Sequence, residues 1–315
     1  MSRAVHLVRP AWVDDPARPS GGNVYDRRVA AALGAVEHTS TATVPDGALV
    51  LVDGLCATPE LVAESQRLRI VVLVHMPRGE PWEGQVLRAA AGVVVTSRWS
   101  RDRLLVRDGL DPDRVFVAEP GVDPAEVVPG SAEGTTLLTV GAVTATKGYD
   151  VLAAALERLG DLAWTCRGVG STAVEPDFAA RLGDTVRLTG PMTRAELDAT
   201  YAEADLLVLA SRAETYGMVV TEALARGIPV LATDVGGVRE SLDGGGLLVP
   251  PDDPDALAAA LRAWLTSPTR RAALRMVARG RRVRLAGWDR TVARLSAALD
   301  VALDPALDAA LEAAR

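Results

Sequence analysis

The strongest constraint on the fold is a regular alternation of short apolar runs with segments of helical periodicity. Such runs are typical of buried parallel strands, and the helical segments between them cover the faces of the sheet. The sequence therefore predicts an α/β protein. The runs are AVHLV (4–8), ALVLVDG (48–54), IVVLVH (70–75), GVVVTS (92–97), RVFVAEPG (114–121), TLLTVG (136–141), LAWTCRG (162–168), VRLTG (186–190), ADLLVLAS (204–211), IPVLATD (228–234) and GGLLVPP (245–251).

The runs fall into two sets, which predicts two Rossmann-like, doubly wound parallel-sheet domains. Between the sets, residues 124–135 read PAEVVPGSAEGT, and a stretch rich in Pro, Gly and Ser is typical of an interdomain linker. We expect a first domain over residues 1–130 and a second over residues 131–285. Residues 286–315 show Leu and Val at helical spacing, with a break or kink predicted at Pro305.

Composition excludes several classes of function. A net charge of −7 argues against nucleic-acid binding, which normally requires a basic surface. Cys56 and Cys166 have no CxxC partner, so neither a zinc site nor a disulfide framework is predicted. No apolar run reaches the roughly 18 residues of a membrane-spanning helix, so we expect a cytoplasmic protein without membrane association. His6 and His38 have no companion in the sequence and are interpreted as structural.

The segment SRAETYGMVVTEALARGIPVLATD (211–234) carries two carboxylates, Glu214 and Glu222, with seven residues between them. Glu214 follows a predicted strand, and doubly wound sheets bind their ligands beyond the carboxyl ends of the strands. A helix predicted to begin near Met218 would direct its first N–H groups toward the same place, where they attract phosphate. Two carboxylates beside a phosphate-binding position indicate a ligand that is both phosphorylated and rich in hydroxyl groups.

Six segments of the chain, in order, resemble the family 4 retaining glycosyltransferases, also called glycosyl transferases group 1. Residues 211–234 resemble the part of that family in which two glutamates stand at this interval. Together the segments cover most of the chain, and their shared order is more specific than any one motif. The other five are SGGNVYDRRVAAAL (20–33), VVLVH ending at His75, VFVAEPGVD (115–123), LLTVGAVTATKGYDVLAAAL (137–156) and GGLLVPPDDPDALAAAL (245–261).

The resemblance implies the GT-B fold, in which two Rossmann-like domains face a central cleft and a C-terminal helix crosses back to the first domain. It implies that the first domain binds an acceptor and the second a nucleotide-sugar donor. The expected activity is retaining, metal-independent transfer of a sugar from a nucleotide-diphosphate sugar to an acceptor hydroxyl, which we expect to belong to a small molecule. No cofactor is expected, and the protein is expected to be a monomer or homodimer.

The resemblance also implies roles for particular residues. Glu214 would bond the hydroxyls of the donor sugar, His75 would contact that sugar near the reacting centre, and Glu222 would bond the ribose. Lys147 and the backbone amides of 217–219 would hold the diphosphate, which a glycine loop approaches from the other domain. The residues implied in donor binding are thus Gly21, Gly22, Lys147, Tyr216, Gly217, Met218, Val219 and Glu222.

Acidic residues elsewhere do not predict a metal site. The acidic residues at 14–15, 111–113 and 252–255 lie in Pro-rich turns, where helix capping explains them. A cation and a helix terminus can neutralise a departing diphosphate without a metal. We identify no carboxylate at the strand ends of the first domain that is placed as a nucleophile, which suits attack from the front face with the leaving phosphate as base.

One position departs from the family pattern. The family usually has an arginine shortly after the glycine that ends the first strand of the second domain, whereas this chain has Ala142. Three explanations remain open at this stage: neutral hydrogen bonds from Thr144 or Thr146, a cation from elsewhere such as Arg78 or Arg212, or a lower affinity for the donor.

Other functions remain as alternatives of different weight. A nicotinamide dehydrogenase is disfavoured because Pro176 interrupts the helix that should follow GVGSTA (168–173). An epimerase or a phosphorylase on the same fold stays open, as does a non-catalytic protein that binds sugar nucleotides. The simplest interpretation of Glu214 and Glu222 is a loop charge and a solvated helix charge, which the surrounding segments make less favourable.

Overall fold

The computed structural model describes residues 4–15 and 17–303 of the chain. By their contacts these residues divide into two compact units. The first unit comprises residues 4–14, Gly22–Gly121 and 288–303, and the second comprises Asp15–Gly21 and Val122–Gly287. Pro305, where the sequence predicts a break, lies outside the described residues.

The first unit is built on six parallel strands in the order β2-β1-β3-β4-β5-β6. The strand β2 was not predicted, because it is only three residues long and carries Glu37 and His38 rather than an apolar run. The strands are β1 (Val5–Val8), β2 (Val36–His38), β3 (Leu49–Asp53), β4 (Arg69–Val74), β5 (Gly92–Val95) and β6 (Val115–Val117), and the helices among them are α1 (Gly21–Leu33), α2 (Leu61–Glu64), α3 (Glu83–Ala89) and α4 (Arg98–Asp108).

The second unit is built on six further parallel strands in the order β12-β11-β10-β7-β8-β9. Each of these strands lies within or beside an apolar run identified in the sequence. The strands are β7 (Thr136–Val140), β8 (Thr165–Val169), β9 (Arg187–Leu188), β10 (Leu206–Leu209), β11 (Val230–Thr233) and β12 (Gly246–Val249), and the helices are α5 (Tyr149–Glu157), α6 (Pro176–Ala180), α7 (Arg194–Glu203), α8 (Met218–Ala225), α9 (Val238–Leu242), α10 (Pro254–Thr266) and α11 (Pro268–Arg282).

The last described helix, α12 (Trp288–Ala302), belongs to the first unit, although it follows the second unit in sequence. Its Leu295 and Leu299 are buried with residues of β3 and β4. The ring of Trp288 lies 5.8 Å from the ring of Tyr25 on α1, centroid to centroid. Helices α1 and α12 therefore cover one face of the first sheet together.

Both sheets are buried on two faces, as parallel sheets usually are. In β3, Leu51 packs with Tyr25 and Leu295, whereas the neighbouring Val50 packs on the opposite face with Leu104 of α4. The second sheet repeats this arrangement, with α5 and α10 on one face and α7, α8, α9 and α11 on the other. This two-sided burial explains why the strands appear in the sequence as nearly continuous apolar runs.

The segment interpreted as an interdomain linker is bonded to the second unit. The N–H of Val122 donates to the carbonyl of Ala286 at 3.0 Å, and the N–H of Val128 donates to the carbonyl of Arg226 at 2.8 Å. Ser131 donates from its N–H and its hydroxyl to Asp205. The second unit thus begins at Val122, earlier than the predicted boundary at residue 131, because these Pro-rich residues find backbone partners there.

Two remaining expectations can be compared with the described residues. The histidines interpreted as lacking a companion are bonded to each other, with His6 Nδ1 and His38 Nε2 2.9 Å apart, because β1 and β2 are neighbours. That part of the interpretation is wrong. No helix in the described ranges has both the length and the apolarity that crossing a bilayer requires.

Candidate functional site

In the second unit, the strand order places two loops side by side at the carboxyl edge of the sheet. Strands β7 and β10 are neighbours, yet their connections run in opposite directions along the sheet, which makes this the topological switch point. Ligands of doubly wound sheets bind at such a point. The loop after β7 leads to Lys147, and the loop after β10 carries Glu214. Two residues that the sequence implicates therefore meet here.

Lys147 and Glu214 form an ion pair, with Nζ donating to Oε1 at 2.6 Å. The hydroxyl of Ser211 donates to the same oxygen at 2.9 Å. The Glu214 side chain is only 9% exposed, while that of Lys147 is 28% exposed. The Glu214 carboxylate is thus buried and held in place by Ser211, while the ammonium group of Lys147 remains accessible.

Lys147 is the only lysine of the chain, although lysine and arginine together number 34. Lysine presents a compact charge on a flexible stem, whereas arginine presents a planar fork. A chain that uses arginine at every other cationic position indicates that this position requires the ammonium group. The single lysine is therefore a signal in the composition that no motif carries.

Close backbone packing fixes the loops around this pair. Gly148 has a φ of +64°, and a Cβ at that position would overlap the carbonyl of Ala210 at the end of β10. Gly236 has a φ of +54°, and a Cβ there would overlap the carbonyl of Glu214. Both positions therefore require glycine, for the positive φ and for the approach. The N–H of Gly237 donates to the carbonyl of Glu214 at 3.1 Å, so the glutamate loop is held by its own backbone.

The helix α8 begins at Met218, as the sequence predicts, directly after the glutamate loop. Its N-cap residue Gly217 has a φ of +83°, and Tyr216 beside it is buried. The first N–H groups of a helix have no partner within the helix and carry a partial positive charge. The amides of Gly217, Met218 and Val219 therefore provide a position suited to phosphate close to the Lys147 loop.

Glu222 lies within α8, on the helix rather than the loop, and is already bonded on both oxygens. Arg194 at the start of α7 donates to Oε1 at 3.0 Å, and the hydroxyl of Tyr201 donates to Oε2 at 3.1 Å. Burial disfavours the charge of Arg194, but the carboxylates of Glu222 and Asp198 outweigh burial and raise its pKa. Neither Arg194 nor Tyr201 was identified from the sequence, because neither belongs to a motif.

The structure shows the partners of Arg212 and Arg78, the two cations considered as replacements for an arginine at position 142. Arg212 is engaged elsewhere: it bonds both oxygens of Asp150, at 2.9 and 2.8 Å, and pairs with Asp252 at 2.6 Å. The hydrogen bonds to Asp150 raise the pKa of its guanidinium further. Arg212 therefore stabilises its own loop through these ion pairs and does not take the place of the missing arginine at position 142. Arg78 belongs to the first unit, where it stacks on the ring of Trp82 at 5.3 Å.

In the first unit, the residues implicated by the sequence are joined by two others. Gly22 lies in the first turn of α1, where a Cβ would stand 3.2 Å from Cδ2 of His75. His75, directly after β4, has its Nε2 2.8 Å from Oδ1 of Asp26 on α1. Asp53, the last residue of β3, lies next to Asp26. Gly21 begins α1, is exposed, and is grouped by its contacts with the second unit.

Asp53 is a carboxylate at a strand end of the first unit that no sequence motif marks. It is only 2% exposed, which does not suit a nucleophile. Burial and the charge of Asp26 raise the pKa of Asp53 to about 7. Burial would lower the pKa of His75, but the hydrogen bond and charge of Asp26, with the charge of Asp53, raise it overall.

Asp26, Asp53 and His75 each place one side-chain oxygen or nitrogen atom within 4.8 Å of the other two. Among the described residues, this is the one group of three Asp, Glu, His or Cys side chains close enough together to hold a metal ion. Most of these atoms already have hydrogen-bond partners: Nε2 of His75 and Oδ1 of Asp26 bond each other, and the N–H of Leu55 donates to Oδ1 of Asp53 at 2.7 Å. One unpartnered oxygen remains, Oδ2 of Asp26.

Solved structures that share this architecture include glycosyltransferases. A glycosyltransferase from Rickettsia africae matches over 96% of this chain and 100% of its own, with 18% identity and a TM-score of 0.71. The Anabaena protein HepE, in complex with UDP and glucose, matches over 95% and 99%, with 16% identity and a TM-score of 0.76. Two doubly wound parallel units in one chain, with the loops described above, define the GT-B class.

The second unit contains a match to a protein family. Residues 134–267 match the family model described as Glycosyl transferases group 1, so this part of the chain is similar to that family. A D-inositol 3-phosphate glycosyltransferase of Kineococcus radiotolerans is 34% identical over 66% of this chain and 57% of its own length. The enzyme of that name from Salinispora tropica is 36% identical, over 67% and 51%. The chain thus spans about half the length of these relatives.

Proposed function

We propose that the protein transfers a sugar from a nucleoside-diphosphate sugar to the hydroxyl of a small acceptor, with retention of anomeric configuration and without a metal ion. The observation that carries the proposal is the Lys147–Glu214 ion pair at the switch point of the second sheet, beside the start of α8. A cation, a buried carboxylate and a helix N-terminus in one place suit a ligand with a diphosphate and a hydroxyl-rich sugar.

Donor binding in this proposal exchanges the partners of the ion pair. The ammonium group of Lys147 turns to the diphosphate, which also accepts hydrogen bonds from the amides of Gly217, Met218 and Val219. Glu214 keeps its bond from Ser211 and accepts from the sugar hydroxyls. The exchange replaces one charge-assisted contact by several, so the site gains contacts only when both halves of the donor are present.

Glu222 serves the ribose in the same proposal. Both its oxygens carry a donor already, but a carboxylate has about four lone-pair sites, so two remain for the ribose hydroxyls. Arg194 and Tyr201 hold the carboxylate in one orientation. Tyr216 is buried and lies in the loop between Glu214 and the start of α8.

Fixed electrostatics account for a leaving diphosphate without a metal. The departing group gains negative charge, and Lys147 with the α8 terminus presents positive charge without reorganising at the moment of reaction. Retention follows from attack on the face of the leaving phosphate, which acts as base. This stereochemistry and the roles of Gly21, Gly22 and His75 come from the family resemblance.

Relatives guide the choice of ligands to test. The solved HepE structures were obtained with UDP, with UDP and glucose, and with UDP-glucose. The curated relatives are named D-inositol 3-phosphate glycosyltransferases. We therefore propose a UDP-sugar as the first donor to test, and a cyclitol phosphate as the first acceptor.

The single lysine makes the proposal directly testable. Reductive methylation with ¹³C-formaldehyde labels the Lys147 amine and the chain N-terminus, and a Lys147→Arg variant assigns the lysine signal. We expect UDP, GDP or ADP to shift that signal, with UMP, GMP and AMP as controls that lack the second phosphate. If no diphosphate shifts it, the donor site is wrong.

Stereochemistry is tested on the product. Incubation with the donor that binds, followed by NMR of the anomeric proton, should show the configuration of the donor sugar. A product of inverted configuration would reject retention and leave the donor site unaffected. Treatment with EDTA should leave the rate unchanged, and a rate restored only by added Mg²⁺ or Mn²⁺ would reject the metal-independent mechanism.

A further inference from the structure

Two buried carboxyl groups lie side by side in the first unit, and one of their oxygens has no partner. Asp26 is fully buried and Asp53 is 2% exposed. Oδ1 of Asp26 bonds Nε2 of His75, whereas Oδ2 has no hydrogen-bond partner among the described residues. Buried oxygens of native proteins are normally satisfied, so this one requires a donor.

A proton on Asp53 supplies that donor. Oδ1 of Asp53 already accepts the N–H of Leu55, which leaves Oδ2 to carry the proton toward Asp26. Two carboxylates in contact cannot both ionise at moderate cost, so one of them keeps its proton. Electrostatics identify Asp53 as that group, because its burial and the neighbouring Asp26 raise its pKa to about 7.

We propose that Asp26 and Asp53 are positioning residues for His75 and hold one proton between their carboxyl groups. Asp53 donates to Oδ2 of Asp26, and the ring of His75 donates from Nε2 to Oδ1. This bond fixes the orientation of the ring and reserves Nε2 as a donor, so that Nδ1 is the nitrogen left for other partners. The inference rests on the proposed function only for the use of His75 in transfer.

Charge balance supports the arrangement. With Asp26 ionised, Asp53 protonated and His75 protonated, the three groups carry no net charge, as a buried cluster requires. The pKa of His75 is raised because the hydrogen bond and the charge of Asp26 outweigh the burial of the ring.

The other groups around the ring are neutral and close-packed. The ring of Tyr25 stands edge-on to His75, with centroids 5.2 Å apart, and burial raises the pKa of Tyr25 far above its usual range. Burial raises the pKa of the Cys56 thiol, which is close to Asp53 in sequence, to about 12. On the α1 side, Gly22 leaves no room for a Cβ without crowding the ring. Around neutral pH the titration of His75 therefore reports on the two aspartates alone.

Histidine NMR tests the inference on the whole protein. The chain has three histidines, and His38→Asn separates the signals of the bonded His6 and His38 from that of His75. We expect a low-field, slowly exchanging Nε2 proton on His75 and a ring pKa above 6.5, the unperturbed value. A wild-type His75 that titrates at or below this value, without that proton, overturns the proposal. So does a His75 signal that shifts on adding Zn²⁺ or EDTA.

Matched variants separate a shared proton from simple packing. Asp53→Asn can donate its amide N–H to Asp26 and should keep the low-field proton of His75, whereas the similarly sized Asp53→Leu should lose it. Asp26→Asn should lower the ring pKa, and the exposed Asp102→Asn on α4 should change nothing. Equal spectra for Asp53→Asn and Asp53→Leu contradict the proposal. Because the wild-type titration is decisive alone, a variant that fails to fold does not remove the test.

Kinetics connect the cluster to transfer and keep the two proposals distinguishable. If His75 acts in transfer, Asp26→Asn should shift the pH profile of kcat/KM in the direction in which it shifts the ring pKa. A protein with the expected histidine spectrum and no turnover of any nucleotide sugar rejects the function and retains the shared proton. Turnover of a nucleotide sugar by a protein with an unperturbed His75 retains the function and rejects the shared proton.

Discussion

In the second unit a buried carboxylate, Glu214, lies beside an accessible cation, whereas in the first unit two buried carboxylates lie beside each other and a histidine. The Lys147–Glu214 pair is balanced by opposite charges, so a ligand that offers other charges can separate it. The pair of aspartates is balanced by a proton, which no diphosphate or hydroxyl replaces. One cluster is suited to exchanging partners and the other to holding a side chain in place.

The two sheets differ in strand order, but each has a point at which the connections change direction. In the first sheet β1 lies between β2 and β3, and in the second β7 lies between β8 and β10. Both orders create a switch point at the carboxyl edge, where loops separate and side chains meet. Asp26 follows β1 and Asp53 is the last residue of β3. Lys147 and Glu214 follow β7 and β10. The same principle thus places both clusters, although the chemistry of the side chains differs.

The largest effect that separates the two clusters is expected from Glu214→Gln. Removing the charge at the sugar side should lower kcat by about 10²–10³, the range for loss of a group that acts in the transition state. Affinity for free nucleoside diphosphate should stay the same or rise, because Lys147 loses its competing partner. Steady-state kinetics and calorimetry measure the two effects. Glu157→Gln, at an exposed end of α5, is the control; a parallel loss of both quantities would contradict partner exchange.

Glu222→Gln should act on the nucleotide rather than the sugar. Glutamine has one acceptor oxygen instead of two, so it cannot serve Arg194, Tyr201 and a ribose hydroxyl together. We expect the diphosphate and the donor to bind about tenfold more weakly, with kcat little changed. Unchanged affinity would show that Glu222 is only a structural partner of Arg194.

Ala142→Arg should strengthen donor binding at the site of the Lys147–Glu214 ion pair. The added guanidinium would restore the cation that the family pattern has here, and a charge-assisted hydrogen bond is worth about 1.5–3 kcal/mol. We therefore expect the affinity for nucleoside diphosphate to rise about tenfold or more, measured by calorimetry at one ionic strength. Ala142→Met controls for size. If both variants bind alike, the position does not face the diphosphate.

The smallest expected effect is on the pH dependence of the free energy of unfolding, and it concerns Asp53 in the group of Asp26, Asp53 and His75. Asp53 has a folded-state pKa raised to about 7, so the folded protein binds more protons than the unfolded chain. Its contribution is full below the ordinary value of 3.8 and is lost as pH rises through about 7, with a slope of at most about 1.4 kcal/mol per pH unit. Urea unfolding between about pH 5 and pH 8 should show a shallower slope for Asp53→Asn. Equal slopes would place the proton elsewhere.

Much of the fold could be predicted because the signals are local. Both faces of each sheet are buried, so most strands appear as apolar runs, and eleven of them coincide with runs identified in the sequence. The strand β2 escaped because it is short and polar. Residues 124–135 were interpreted as a linker from their Pro, Gly and Ser content, which says nothing of the backbone partners that the second unit offers them.

The candidate site was predictable only in part. Lys147, Glu214 and Glu222 stood out because they lie in segments that follow the order of a family. Asp26 and Asp53 did not, since an aspartate in a helix and another at a strand end carry no pattern. Their relation to His75 exists only because the first turns of α1 lie near the ends of β3 and β4.

The sequence by itself determined two α/β units, the start of α8 at Met218 and the identity of the groups available for chemistry, because strands, caps and composition depend on nearby residues. Tertiary structure decided which of these groups meet. Lys147 pairs with Glu214 across 67 positions, and His75 pairs with Asp26 across 49. Those pairings follow from strand order, which is set by packing of the whole sheet rather than by any local pattern.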